Sequence, residues 1–460
     1  MLEEKLAALV AQTVFSEMDE RTVHVLKRNI LDSYAGICLS LKDVDMLGKF
    51  DAMTSLTPTE KGLAVWGLHR KANTSNAVFM NTILGRRSDL VNTYLPPNGM
   101  GGCHPSDNVS LVLSMADWLK KSGKDVLSLM HVAYLLSCAF TDYYHPEENG
   151  YDHDTPALLY LSLTIGCAMG LSVPGLTEAQ RIAGMLGLDI DQAAKGEVTD
   201  WKHCTYASCA MRALHAVKMA YAGFEGPRNI YEGEAGINRF LPHAGSIVDP
   251  PPDLESIVFK RWPALVFCQT PIDAAVEIAG RIDDPEAIDR VLIQTYKKAI
   301  EEADGDAAYR PVSRAGRTHS LPYCVAVALV KKTVEYEYFN DGFLGKEEAV
   351  ARLIPKIAVV EDVHMTRTYP DGSPCRIEVT LKSGETIRLS REFPRGDPHD
   401  PLTDREIEEK VEECMTHLAS RDEVRSIIER IWELEREDSV DWLVAPLKQR
   451  ILKTDGREDS

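Results

Sequence analysis

Apolar residues recur at i, i+3, i+4 and i+7 through most of the first half of the chain, predicting amphipathic helices over Val23–Ser40, Val109–Lys121, Val126–Phe140 and Ala207–Ala222. The last puts Ala207, Ala210, Met211, Leu214 and Val217 on one stripe and stops at Gly223, a residue suited to a helix end. Past the proline-rich Val248–Asp253 the period changes. Arg290–Tyr296 and Ile357–Glu361 read as strands, and Ile377, Val379 and Leu381 alternate with polar residues before a turn at 382–385 returns through Ile387 and Leu389. Helices are expected between these strands at Ile272–Arg281 and Leu321–Lys332. Thr403 and Glu406 form a capping box ahead of Ile407–Leu418, followed by amphipathic segments at Ile428–Leu434 and Trp442–Leu452. The fold expected is mainly α: an all-helical domain from 1–265 plus 395–460, with an inserted α+β lid at 266–394, hinged at the prolines near 250 and at Pro394–Pro398.

Thr155–Thr177 carries no charge and is long enough to span a bilayer. Gly166, Gly170 and Pro174 interrupt it, and no Lys or Arg cluster flanks it, so it is read as a buried core helix and no membrane partner is expected. The 460 residues, 44% hydrophobic and 26% charged, are enough for two or three domains. A net charge of −19 repels phosphate backbones and anionic lipids, which argues against nucleic acid as a partner. A small anionic ligand is still admissible where cations cluster locally. The ten cysteines show no C-x-x-C pair, and the start lacks a basic segment ahead of an apolar run, so reduced thiols and a cytoplasmic location are expected.

Four stretches carry candidate chemistry. Asp89–Asn108 is a Gly/Pro loop that feeds a helix near Ser106 and puts His104 at its mouth; helix N-termini receive carboxylates, although Ser106 or Asp107 as simple caps explains the same residues. Trp201–Tyr206 sets Lys202 and His203 before the Ala-rich helix, again as an anion site or as a solvated Lys beside a capping Thr205. His145–Asp154 holds two histidines and four carboxylates in no standard metal spacing, so no metal is expected and His153 is read as lining a cleft. Arg310–Tyr323 gathers Arg314, Arg317, His319 and Tyr323 around another helix start, and Lys260 sits near the junction of the two parts. Nucleotide, dinucleotide, serine-hydrolase and zinc-protease motifs are absent, as is an iron–sulfur cysteine pattern, leaving chemistry without a cofactor.

Taken in order, His104-Pro-Ser-Asp-Asn108, Asp152-His153, Trp201-Lys202, Gly226-Pro227 with Tyr231–Gly236, His319–Tyr323 and Pro394–Pro398 resemble the MmgE/PrpD family over nearly the whole chain. That family includes 2-methylcitrate dehydratases, cis-aconitate decarboxylases and iminodisuccinate epimerases. The resemblance implies a homodimer of helical bodies with α+β lids, acting on a small polycarboxylate without cofactor. It implies a site between the domains made of Asp89, Thr93, His104, His153, Lys202, Lys260 and Tyr323; Arg314 and His319, from the residue pattern at 310–323, are expected as further substrate-binding residues. Asn92 stands where dehydratases of the family carry a carboxylate, and Phe267 where a His is expected. The activity implied is metal-independent β-elimination of water from a citrate-like hydroxy-tricarboxylate, with His104, Lys202, His153 and Tyr323 as its acid/base groups. Decarboxylation or epimerisation on the same scaffold, or a non-catalytic carboxylate-binding role, are the alternatives.

Overall fold

The computed structural model describes residues 1–451 except 197, 248, 250 and 450. The proline segment Val248–Asp253 and the Trp442–Leu452 stretch therefore lie partly outside the described residues. The molecule is mainly helical, and its larger core is organised around the helix Glu20–Ser40. Asp19 caps that helix by accepting from the Thr22 N–H, and from Leu26 onward nearly every side chain is buried. It touches the helices Thr74–Arg87, Asp107–Leu119, Gly123–Tyr143, Asp404–Met415 and Arg421–Trp432, so its second half is buried on every side. Polar residues within it are satisfied locally or in pairs: Ser33 donates to the Asn29 carbonyl at 2.7 Å, and Asp32 pairs with Lys410. Gly36 lies where any Cβ would stand 2.7 Å from the Leu90 carbonyl oxygen, so only glycine lets the 88–90 segment cross this helix.

A second hydrophobic core gathers residues between Trp262 and Val379. After the small hairpin β1 (Leu63–Val65) and β2 (Arg70–Ala72), the remaining strands are β3 (Ile288–Thr295), β4 (Ile357–Glu361), β5 (Cys375–Leu381) and β6 (Thr386–Arg391). They form one sheet in the order β4-β3-β5-β6, parallel between β3 and β4 and antiparallel elsewhere, with Val291 opposite both Ile357 and Val379. Val291, Ile293, Ile377 and Val379 share a buried face packed with the helices Val266–Ala279 and Leu321–Lys331. Two features join this part to the larger core. The Lys410 ammonium donates to the Lys260 carbonyl at 2.7 Å, and Phe259 N donates to the Gly396 carbonyl at 2.9 Å. At Gly396 φ is +101°, and a Cβ would lie 1.9 Å from the Phe259 oxygen.

The pattern-based helices at 23–40, 109–121, 126–140, 207–222 and 407–418 correspond to Glu20–Ser40, Asp107–Leu119, Gly123–Tyr143, Thr205–Tyr221 and Asp404–Met415. Three details differ. The Thr155–Thr177 stretch is two helices, Ala157–Ala168 and Val173–Ala183, because Gly170 takes φ +73° and Ser172 caps a new start. The helix that meets the length and composition of a membrane span is instead Gly123–Tyr143, and most of it is buried against its neighbours. Among the described residues of the 441–451 stretch, only Asp441–Val444 is α-helical, since Pro446 cannot continue that turn. The ten cysteines form no disulfide.

Candidate active site

The loop after Thr74–Arg87 sets the first group of residues. Thr93 exchanges main-chain hydrogen bonds with Val258 at 2.9 and 2.8 Å, and Tyr94 does the same with Cys103, which folds the loop back on itself. His104 is thereby brought against the loop's start, with its Nδ1 3.2 Å from the Asn92 carbonyl oxygen and 3.1 Å from the Thr93 hydroxyl. A carbonyl only accepts, so the proton of the neutral ring belongs on Nδ1 and Nε2 presents a bare lone pair. Burial, with the charges of Arg86, Lys260 and His153, holds this imidazole well below its ordinary value. Asn92 explains the helix start nearby. Its Oδ1 accepts from the Ser106 N–H and its Nδ2 donates to Asn29 Oδ1, both at 2.9 Å, whereas Ser106 makes no side-chain cap. An amide carries a donor and an acceptor at once; an ionised carboxylate there could not give the second bond.

His153 faces His104 edge to face. Its Nδ1 lies 3.3 Å from Asp152 Oδ1 and its Nε2 3.4 Å from Asp154 Oδ1, so a carboxylate flanks each ring nitrogen. Asp154 also accepts from the buried Arg86 guanidinium at 3.1 and 3.0 Å, and Arg86 binds Asp107 as well. Asp152, His153 and Asp154 converge closely enough to hold a cation. The guanidinium already neutralises one of these carboxylates, and Asp152 Oδ1 accepts from the Asp154 N–H.

The turn Asp200–His203 supplies the next two groups, of which Lys202 lines the cavity and His203 does not. Lys202 lines a cavity of about 430 Å³ together with Thr93, His104, His153 and His319. Its ammonium has no ion pair among the described residues. His203 is buried between Arg87 and Asp89. His319 has its Nδ1 2.9 Å from the Ala315 carbonyl, so its Nε2 is also bare, and burial beside Lys202, His203 and Lys260 lowers it to about 4. The remaining walls are Leu95, Val266 and Phe267 on one side and the helix Lys297–Ala303 with the 304–313 segment on the other. Phe267 is fixed edge-on to Tyr296 and Tyr369, making this wall rigid and apolar.

The other residues singled out from the sequence lie away from the cavity surface. Lys260 is buried beneath it, donating to the Asp89 carbonyl at 3.2 Å, and burial lowers its ammonium to about 8 although Asp89 opposes this. Asp89 sits at φ +57°; burial raises its carboxyl, but the charges of His319, His203 and Lys260 outweigh it and hold the group well below the carboxylate range. Arg314 stacks on the Tyr336 ring at 3.5 Å and donates to the Tyr336 carbonyl and to Asn340. Tyr323 does not reach the cavity. Ser320 caps the helix at the Tyr323 N–H, which turns the ring into the second core against Phe339, and its hydroxyl donates to the Tyr338 carbonyl. Arg86, Arg87 and the carboxylates of Glu301 and Glu302 were not singled out from the sequence. The two arginines close the helix Thr74–Arg87, and their burial among Asp43, Asp107 and Asp154 is what distinguishes them.

Known proteins share this arrangement of sequence. The chain is 24% identical to cis-aconitate decarboxylase from Homo sapiens, with 97% of this chain and 94% of the relative aligned. It is 23% identical to 2-methylcitrate dehydratase from Cupriavidus necator, over 89% of this chain and 90% of that one. The Escherichia coli (strain K12) 2-methylcitrate dehydratase is 23% identical over 74% of each chain. Residues 4–246 match the MmgE/PrpD N-terminal domain, which carries His104, His153 and Lys202, and residues 262–434 match the MmgE/PrpD C-terminal domain, which carries His319. With both halves matched on either side of one cavity, the chain belongs to the MmgE/PrpD family.

Proposed function

We propose that the protein is a lyase that removes water from a citrate-like hydroxy-tricarboxylate such as 2-methylcitrate, without a metal. The observation that carries this reading is the shared cavity of His104, His153 and Lys202: a bare imidazole nitrogen, a second imidazole flanked by two carboxylates and an ammonium with no ion pair among the described residues. In the reaction, His104 Nε2 takes the proton from the carbon next to a substrate carboxylate. The released pair forms the C=C bond as the C–O bond breaks, and hydroxide leaves as water with a proton donated by His153. Lys202 balances the charge that builds on the carboxylate in the transition state. Thr93 and His319 orient the substrate, and the segment 297–313 closes over it as part of a lid.

Decarboxylation is the second reading, favoured by the near-complete alignment with a cis-aconitate decarboxylase. The same clamps would serve, with a C–C bond broken in place of C–O. Incubation with 2-methylcitrate, citrate, cis-aconitate and iminodisuccinate distinguishes them. Alkene absorbance from a hydroxy-tricarboxylate without CO2 is expected; CO2 from cis-aconitate selects the second reading, and inertness toward all four ends both.

A further inference from the structure

His203 has no role in the reaction as set out above, yet it is buried between charged partners. It is 1% exposed, and its Nδ1 stands 3.1 Å from the Arg87 guanidinium nitrogen Nη1. Guanidinium only donates, so Nδ1 must be the acceptor and the ring's proton must be on Nε2. That N–H faces Asp89 Oδ2 at 3.6 Å, and neither atom has another hydrogen-bond partner, so a shift of a few tenths of an ångström completes a charge-assisted bond between them. Arg87 is itself held, with Asp43 accepting at 2.7 Å and Asp200 at 2.9 Å. Asp200 and His203 are the two ends of the turn that carries Lys202. One guanidinium therefore pins both ends of a four-residue turn, and the residue between them that faces the cavity is Lys202.

We propose that His203 is a positioning residue: through its Arg87-fixed tautomer it orients Asp89 on one side and aims the Lys202 ammonium into the cavity on the other. This rests on the reading of Lys202 as the substrate's cation. Removing the ring should thus act on ligand binding and on the pH profile through two neighbours, without any contact of its own to substrate.

The test compares His203→Phe, which keeps the ring's bulk and removes both ring nitrogens, with His203→Gln, whose amide can accept from Arg87 and donate toward Asp89. Binding of tricarballylate, an unreactive tricarboxylate, is measured by calorimetry on the full chain. A loss of about tenfold or more in His203→Phe is expected, the scale of a mis-aimed charged hydrogen bond, with recovery to within about threefold in His203→Gln. The pH dependence of binding should shift in His203→Phe alone. Wild-type affinity in His203→Phe overturns the proposal, while failure of the wild type to bind tricarballylate or turn over any polycarboxylate overturns the functional reading and this inference with it. Should His203→Phe not fold, 15N-histidine NMR of the wild type, assigned with His203→Gln, decides. A protonated Nε2 with bare Nδ1 is expected, and an Nδ1–H tautomer or an imidazolium refutes it.

Discussion

The rings of His104 and His153 meet edge to face with their centroids 6.1 Å apart and their planes 84° to one another. Their other partners differ: His104 leans on a carbonyl, and His153 is flanked by two carboxylates. His104→Asn should lower kcat by about 10² to 10⁴-fold with the fold intact. The base form of His104 persists below its ordinary 6.5, so the acid limb of wild-type kcat/KM should fall well under that pH. Stability carries the same sign. The unfolded chain binds a proton at 6.5 that the folded ring refuses, so this residue's contribution declines as pH drops through 6.5, and His104→Asn should be less sensitive to acid there. Normal turnover in the variant would remove His104 from the reaction.

Lys202 is the cation expected to feel a tricarboxylate directly. Citrate at 100 times its Kd should stabilise the native state by about 2.7 kcal/mol, readable as a rise in Tm. Lys202→Ala should erase most of that rise while leaving the ligand-free Tm nearly unchanged. An undiminished citrate shift in the variant would place the anion elsewhere.

The convergence of Asp152, His153 and Asp154 makes chelation informative. Because Arg86 already supplies the positive charge on Asp154, activity should survive EDTA and dialysis. Activity lost with EDTA and restored by one divalent metal would show that these donors hold an ion.

For Tyr323 the expectation is structural. Its hydroxyl is committed to the Tyr338 carbonyl, so Tyr323→Phe should keep kcat and KM while costing about 1 kcal/mol in a denaturant titration. A large fall in kcat with unchanged stability would return the phenol to the reaction.

Where the chain repeats a single strong pattern, its sequence predicts the element closely. Ile357–Glu361 is β-branched and appears as β4 with those bounds, and Thr403 with Glu406 opens a helix by the predicted capping box. The site was legible where a loop motif carries its own chemistry, as at His104 and Lys202. It was illegible where a residue's role depends on which way a helix faces: Tyr323 follows a cap that turns it inward, and Arg86 and Arg87 gain theirs only where the fold brings Asp107, Asp154 and Asp43 to them. Asn92, read as a departure from a family pattern, is a tie between the loop, the helix start and Asn29.

The larger core draws on Leu402, Ile407, Val411, Met415, Ile428, Ile431, Leu443 and Leu447 as well as on residues from the first 260 positions. During synthesis, the helix Glu20–Ser40 leaves the ribosome long before the helices that cover one of its sides. That flank stays wet until more than 350 further residues have been made. The helical body thus cannot close ahead of the sheet-containing part encoded inside it, so a stalled or shortened chain would present an open apolar seam to chaperones in place of a finished half-enzyme.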